Sequence, residues 1–353
     1  MEVDLGDSLL SSQGPDMLLL VAICAFGYMG RHRIIPGDRG RWEQWAQQLP
    51  PTLADELRHV WEEGERQAAI GVVAERVEVR AEGLLKLAAG HVSASPQDAF
   101  ALLSRPLRVL LENGRNDRLF MLAFADALTR KAIEQAEDAG WLVFETAGGI
   151  GELKVRLEQQ HEIAMIDAIR MMYLCDSDGR EPGEISTEAT TVRQGLESLA
   201  GRHDRDVAYF GHVLHRRSAE NYAPPREVLI WAKAAAGPEA WQILQRASDP
   251  RERVAMAQDP SKQDRQSRYL RAAIALKELP RDVRAFLDMK EGRGEAPFRT
   301  ADAIWERLDD FQKSALKTGF GSKFAAHFYG QARHLPDETG EVVALLKRVL
   351  ERL

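Results

Sequence analysis

In the middle of this chain, short apolar runs bounded by turn residues alternate with longer amphipathic stretches. Leu107-Arg-Val-Leu-Leu-Glu112 opens that segment, with Pro106 before it and Asn113-Gly114 after it. A run this short and this rich in Val and Leu predicts a strand buried on both faces of a parallel sheet. Trp141-Leu-Val-Phe-Glu145 and Met171-Met-Tyr-Leu-Cys175 read the same way, and Val207 to Leu214 predicts a fourth strand. Helical spacing fills the intervals. Leu119 to Ala139 carries Phe120, Leu122, Ala123, Ala127, Ile133 and Ala136 and is closed by Gly140, and Gly148-Gly149-Ile150-Gly151 opens a further helix. Strands alternating with helices predict right-handed βαβ units, hence an α/β core with a mostly parallel sheet and helices on both faces.

The flanks read differently. Residues 1–104 are expected to be mainly helical, a packing or oligomerisation module. Trp42 to Gln48, Leu53 to Glu63 and Val79 to Ala89 show apolar residues three and four apart, with Thr52 and Ser95 as helix caps. Met17 to Gly30 is apolar but shorter than the roughly 20 residues a membrane span needs, so it reads as a core helix. The α/β unit is expected over 105–235. Beyond Pro225 helical spacing returns at Glu227 to Ala236, and a helical region is expected over 236–353, with helices at Glu239 to Ala247, Arg265 to Glu278 and Ala301 to Lys317, and Val342 to Leu353 last.

Composition narrows the class. The chain has 353 residues, 44% of them hydrophobic and 29% charged, which is ordinary for a water-soluble globular protein. A net charge of −7 argues against indiscriminate coating of nucleic acid. Cys24 and Cys175 are the only cysteines, so neither a disulfide framework nor a zinc quartet of thiolates is expected, and a reducing cytoplasm is. Acidic residues precede the apolar run at Met17, unlike the basic start of a secretory signal.

The chemistry lies at the strand ends. Parallel strands put their C-terminal ends along one sheet edge, where open α/β sheets keep their ligands. Glu112, Asp176 and Asp178 are expected to meet there, the two aspartates two apart and therefore on one side. Clustered carboxylates repel unless a cation lies among them, and a hard ion such as Mg²⁺ or Mn²⁺ suits oxygen donors.

These residues carry a resemblance. A strand ending in Glu112, Asp117 shortly after it, a glycine turn after the next strand, and Asp176-Ser-Asp178 ending the third resemble a Toprim domain. His212-Val-Leu-His215-Arg-Arg-Ser-Ala-Glu220-Asn221-Tyr222 is similar to a segment after the fourth strand in OLD-type and stand-alone Toprim nucleases of bacterial phage defence. The resemblance covers about residues 105–235. It departs from the family in having Asn113 directly after the glutamate and Asp117 five residues on. Asp117 is thus either a metal ligand or a helix cap.

The resemblance implies a divalent-metal-dependent nuclease acting on DNA or RNA, with Mg²⁺ or Mn²⁺ held by Glu112, Asp176, Asp178 and Asp117. Glu220 would ligate a second ion or act as general base, with an exposed helix-leading glutamate as the alternative. Lys290 would stabilise the leaving group, or be a solvated surface lysine. Gly148, Gly149 and Gly151 would bring backbone near a phosphate, or serve the sheet geometry alone. A separate ATPase partner is implied by the family, since the chain has no ATPase motif of its own.

Between Arg251 and Arg293, 11 Lys or Arg face 7 Asp or Glu, an excess of 4 that suits either a phosphate-backbone track or a solvated helix face. His212 and His215, three apart on an alternating strand, are expected on opposite sides and not as a ligand pair. The alternative function is a non-catalytic Toprim-fold scaffold in a defence complex. A homo-oligomer is possible under either, and no membrane association is expected.

Overall fold

The computed structural model describes residues 1–11, 15–69, 75–88, 90–159, 165–177, 185–215, 222, 335, 337 and 339–353. Two sheets, each flanked by helices, account for most of them.

The second sheet is the one the apolar runs predict. β6 (Leu107–Leu111), β7 (Leu142–Thr146), β8 (Met171–Cys175) and β9 (Gly211–Val213) lie in the order β7-β6-β8-β9, and every neighbouring pair is parallel. All five residues of β8 are buried, as its central position requires. One face, through Leu107, Val109, Leu111, Met172 and Leu174, packs on α5 (Gly114–Phe124), α6 (Ala127–Asp138) and α11 (Glu341–Arg352). The other, through Leu110, Tyr173, Cys175 and Val213, packs on Leu153 and Leu157 of α7 (Ile150–Gln159) and Leu196 and Leu199 of α9 (Thr187–His203). The α/β reading of this segment therefore stands.

Three boundaries differ from expectation. The helix expected over Leu119 to Ala139 is two helices, because Asp126 accepts a hydrogen bond from the Thr129 N–H and starts α6 afresh. The strand expected over Val207 to Leu214 begins with a helical turn, α10 (Val207–Phe210), since Asp206 caps it through the Ala208 N–H. Only Gly211–Val213 remains as strand. α11 shares a core with Phe120 and Phe124, so the end of the chain belongs with the α/β unit and not with a separate helical region.

Residues 1–104 hold more than helices. β1 (Glu2–Leu5), β2 (Arg33–Pro36), β3 (Arg76–Val79), β4 (Lys86–Ala88) and β5 (His91–Ala94) form a five-stranded sheet in the order β2-β1-β3-β5-β4. It is parallel except where β4 meets β5. The helix expected over Val79 to Ala89 is replaced by the end of β3, a turn and β4, because Val77 and Val79 alternate inward as strand residues do. α1 (Pro15–Tyr28), α2 (Arg39–Ala46), α3 (Pro51–Ala69) and α4 (Pro96–Ser104) pack around this sheet. Ser95 caps α4 through the Asp98 N–H, as its sequence predicts. Thr52 lies one residue inside α3 and so does not begin it. Among the described residues no helix is long and apolar enough to cross a membrane. The helices expected between Glu227 and Lys317 lie outside the described residues.

Arginines knit the N-terminal edge of the second sheet to the first. Arg170, directly before β8, is buried and donates from Nη1 to the Arg352 carbonyl at 2.5 Å and from Nε to the Arg105 carbonyl at 3.2 Å. Arg352, also buried, donates to the carbonyls of Tyr209, Ile169 and Met171 and lies 4.1 Å from the Tyr209 ring centroid. Arg205 pairs at 2.5 Å with Glu75, the residue leading into β3. Burial, then repulsion from Arg352, pulls the Arg170 guanidinium down to about 9.

Candidate metal centre at the carboxyl edge of the second sheet

The C-terminal ends of β6 and β8 are neighbours, and each is followed by an acid. Glu112 leaves β6 in a tight turn into α5, and Asp176 directly follows Cys175 of β8. The Asp176 N–H donates to Glu112 Oε2 at 3.3 Å, so the two residues meet at the edge where parallel topology predicts them. Both are partly exposed. Hard oxygen donors on a solvent-reached edge fit Mg²⁺ or Mn²⁺, which retain several of their own waters. Asp178, Glu220 and Lys290 lie outside the described residues.

The turns around this pair explain its position. Gly114 approaches the end of β7 so closely that a Cβ there would sit 1.9 Å from Thr146 Oγ1. Glycine is thus needed two residues after Glu112, with Asn113 taken up in the turn. Asp117, inside α5, accepts from the Asn113 N–H at 2.7 Å and steadies the same turn. Gly148 and Gly149 adopt φ of +94° and +118°, conformations that favour glycine. The Gly149 N–H donates to the Glu112 carbonyl at 3.2 Å, and its own carbonyl accepts from Leu153 at 3.1 Å, starting α7. Gly151 lies within that helix. The glycine turn therefore fastens the end of β7 to the backbone of Glu112.

The same edge continues onto β9, where expectation fails. His212 and His215 do not point apart. β9 ends at Val213, the chain bends, and the rings come to lie with centroids 5.1 Å apart at 65°. Alternation of faces holds only while a strand continues, and here it stops between the two histidines. Both rings converge on Glu341, the first residue of α11. His212 Nε2 lies 2.5 Å from Glu341 Oε1, and His215 Nδ1 lies 3.5 Å from Oε2. The His215 N–H donates to Oε1 at 2.8 Å, and the Tyr222 hydroxyl donates to Oε2. The Glu341 side chain is only 5% exposed. Burial on its own would raise the carboxyl, but the hydrogen bonds from His212, Tyr222 and the His215 backbone outweigh it and hold Glu341 below the usual glutamate range.

No local signal announces Glu341. It stands 126 residues after His215, and its sequence neighbourhood Thr-Gly-Glu-Val-Val reads only as a helix start. The chain matches no family model, no curated protein and no solved structure.

Proposed function

We propose that this chain is a divalent-metal-dependent nuclease of the Toprim kind that cuts phosphodiester bonds in DNA or RNA, as an effector of defence against phage. The observation that carries the reading is the meeting of Glu112 and Asp176 at the carboxyl edge of a parallel four-stranded sheet, joined through the Asp176 N–H. Glu112 and Asp176 would hold Mg²⁺ or Mn²⁺, with Asp178 completing the set. Bound there, the ion would lower the pKa of a water toward roughly 7 and neutralise charge on the phosphate oxygens.

The chain's own part is to fix the donors. The Asp176 N–H orients the Glu112 carboxylate, the Gly149 N–H pins the Glu112 carbonyl, and Asp117 holds the turn between them. Fixed donors need not reorganise as charge develops, which is where electrostatic catalysis gains most. In this reading Glu220 serves as general base or second ligand and Lys290 stabilises the leaving oxygen. A separate ATPase partner, which the resemblance implies, would control the cleavage.

Supercoiled plasmid and transfer RNA, incubated with the protein and Mn²⁺ or Mg²⁺, test the proposal. Cleavage is expected, with Asp176→Ala and Glu112→Ala each lowering its rate at least about 100-fold, the loss of several kcal/mol of charge stabilisation. A nuclease held latent by its partner is covered by phage plating in cells that carry the full defence locus. If wild type cuts nothing in vitro and both variants protect as well as wild type in cells, the chain is a scaffold and not a nuclease; if the variants cut as well as wild type, Glu112 and Asp176 do not hold the catalytic ion.

A further inference from the structure

We propose that His212, His215 and Glu341 form a second metal site, selective for a borderline divalent ion of the Zn²⁺ class over Mg²⁺. This goes beyond the nuclease reading and does not depend on it. One ligand atom from each of the three residues lies within 4.8 Å of the other two, the histidines from the end of β9 and the carboxylate from the start of α11, 126 residues later. Two imidazoles and one carboxylate are a donor set that a Zn²⁺-class ion takes as three protein ligands with a fourth position open. Imidazole nitrogen discriminates against Mg²⁺, which favours oxygen donors and its own water.

The surroundings suit that role. Glu341 is buried, while His215 is 75% exposed, so the site has a closed floor and an open side through which an ion can enter. The His215 N–H and the Tyr222 hydroxyl both hold the carboxylate, which is how outer hydrogen bonds aim a ligand. His212 and Glu341 share a hydrogen bond across 2.5 Å. A metal taking Nε2 replaces that proton, leaving the neutral ring with its hydrogen on Nδ1 and the carboxylate ionised. The site adjoins the carboxylate pair: Val213 pairs with Cys175, the residue before Asp176, and the Leu214 N–H donates to the Cys175 carbonyl at 2.9 Å.

Full-length protein stripped with a chelator tests this directly. Zn²⁺ titrated against a chromophoric competitor is expected to bind at one equivalent per chain, with Mg²⁺ failing to displace it, and Co²⁺ is expected to give the intense visible bands of a four-coordinate site. His212→Ala, His215→Ala and Glu341→Gln should each weaken Zn²⁺ binding at least about 100-fold, and Tyr222→Phe about 10-fold. His59→Ala, an exposed histidine of α3, should leave binding unchanged. No stoichiometric binding by wild type, or undiminished binding by a folded His212→Ala/His215→Ala variant, overturns the proposal. Should those variants misfold, X-ray absorption of the wild-type Zn²⁺ protein decides, since scattering from two imidazoles is required and its absence also overturns the site. Cleavage assays read Glu112 and Asp176 instead, so failure of either proposal is visible without the other.

Discussion

The two edges of the second sheet hold charge in opposite ways. At the N-terminal edge, Arg170 and Arg352 donate to main-chain carbonyls and Arg205 meets Glu75, so the cations are closed off by the protein itself. At the C-terminal edge, Glu112 accepts from a backbone N–H and Glu341 gathers two histidines and a tyrosine, with His215 open to water. The first arrangement joins two sheets into one body. The second leaves donor atoms within reach of water. Parallel strands favour this division, because ligand crevices belong to the edge where strands end and not to the edge where they begin.

The sharpest way to break the contrast is at the N-terminal edge. Arg205→Leu strands Glu75 in a buried position and should cost about 3–5 kcal/mol in urea unfolding, whereas Arg205→Leu/Glu75→Leu should recover most of the loss. Cleavage by the single variant, measured where it is still folded, should be unaffected. A comparable loss of activity would show that the two edges are not independent.

Gly114→Ala tests the other edge with a smaller effect on stability. The new methyl meets Thr146 Oγ1 and should cost about 1–3 kcal/mol. Because Gly114 sits in the turn that carries Glu112, cleavage should fall together with stability, unlike the result at the arginine edge.

The mildest test lies between the edges. Arg108 of β6 grips Glu145 of β7 in a two-pronged pair at 2.5 and 2.7 Å. The Arg108 guanidinium holds Glu145 below the usual glutamate range, so the pair stabilises the fold above that range and its contribution disappears as pH falls through the folded value. Glu145→Gln should therefore cost at most about 1 kcal/mol near pH ~7, since the pair is partly exposed, and almost nothing near pH ~3. Thermal melts of both proteins across that range check the sign.

The residues differ in how much of this they disclose. Met171–Cys175 is legible as a strand because full burial leaves an unbroken apolar run, and Leu107–Leu111 because only the half-buried Arg108 interrupts one; that their C-terminal ends share an edge follows from parallel topology. The first sheet is not legible in the same way. Glu-Val-Asp-Leu, Arg-Ile-Ile-Pro, Arg-Val-Glu-Val and His-Val-Ser-Ala are four residues each, half polar or half-buried, too short for alternation to outweigh the helical spacing around them. Val-Ala-Tyr-Phe at 207–210 has the composition of a strand, yet Asp206 turns it into a helical turn. The histidine cluster escapes sequence reading for two reasons: the strand stops between its rings, and its carboxylate arrives from the far end of the chain.

Glu341 opens α11, and that helix lies over Phe120 and Phe124 through Val342, Leu345 and Leu346. The hydrophobic grip of one helix and the presence of a carboxylate between two imidazoles are therefore a single event. Anything that peels this helix from α5 and α6 empties the histidine pair of its anion at the same moment, so an ion held there would report whether the last helix has docked on the middle of the chain.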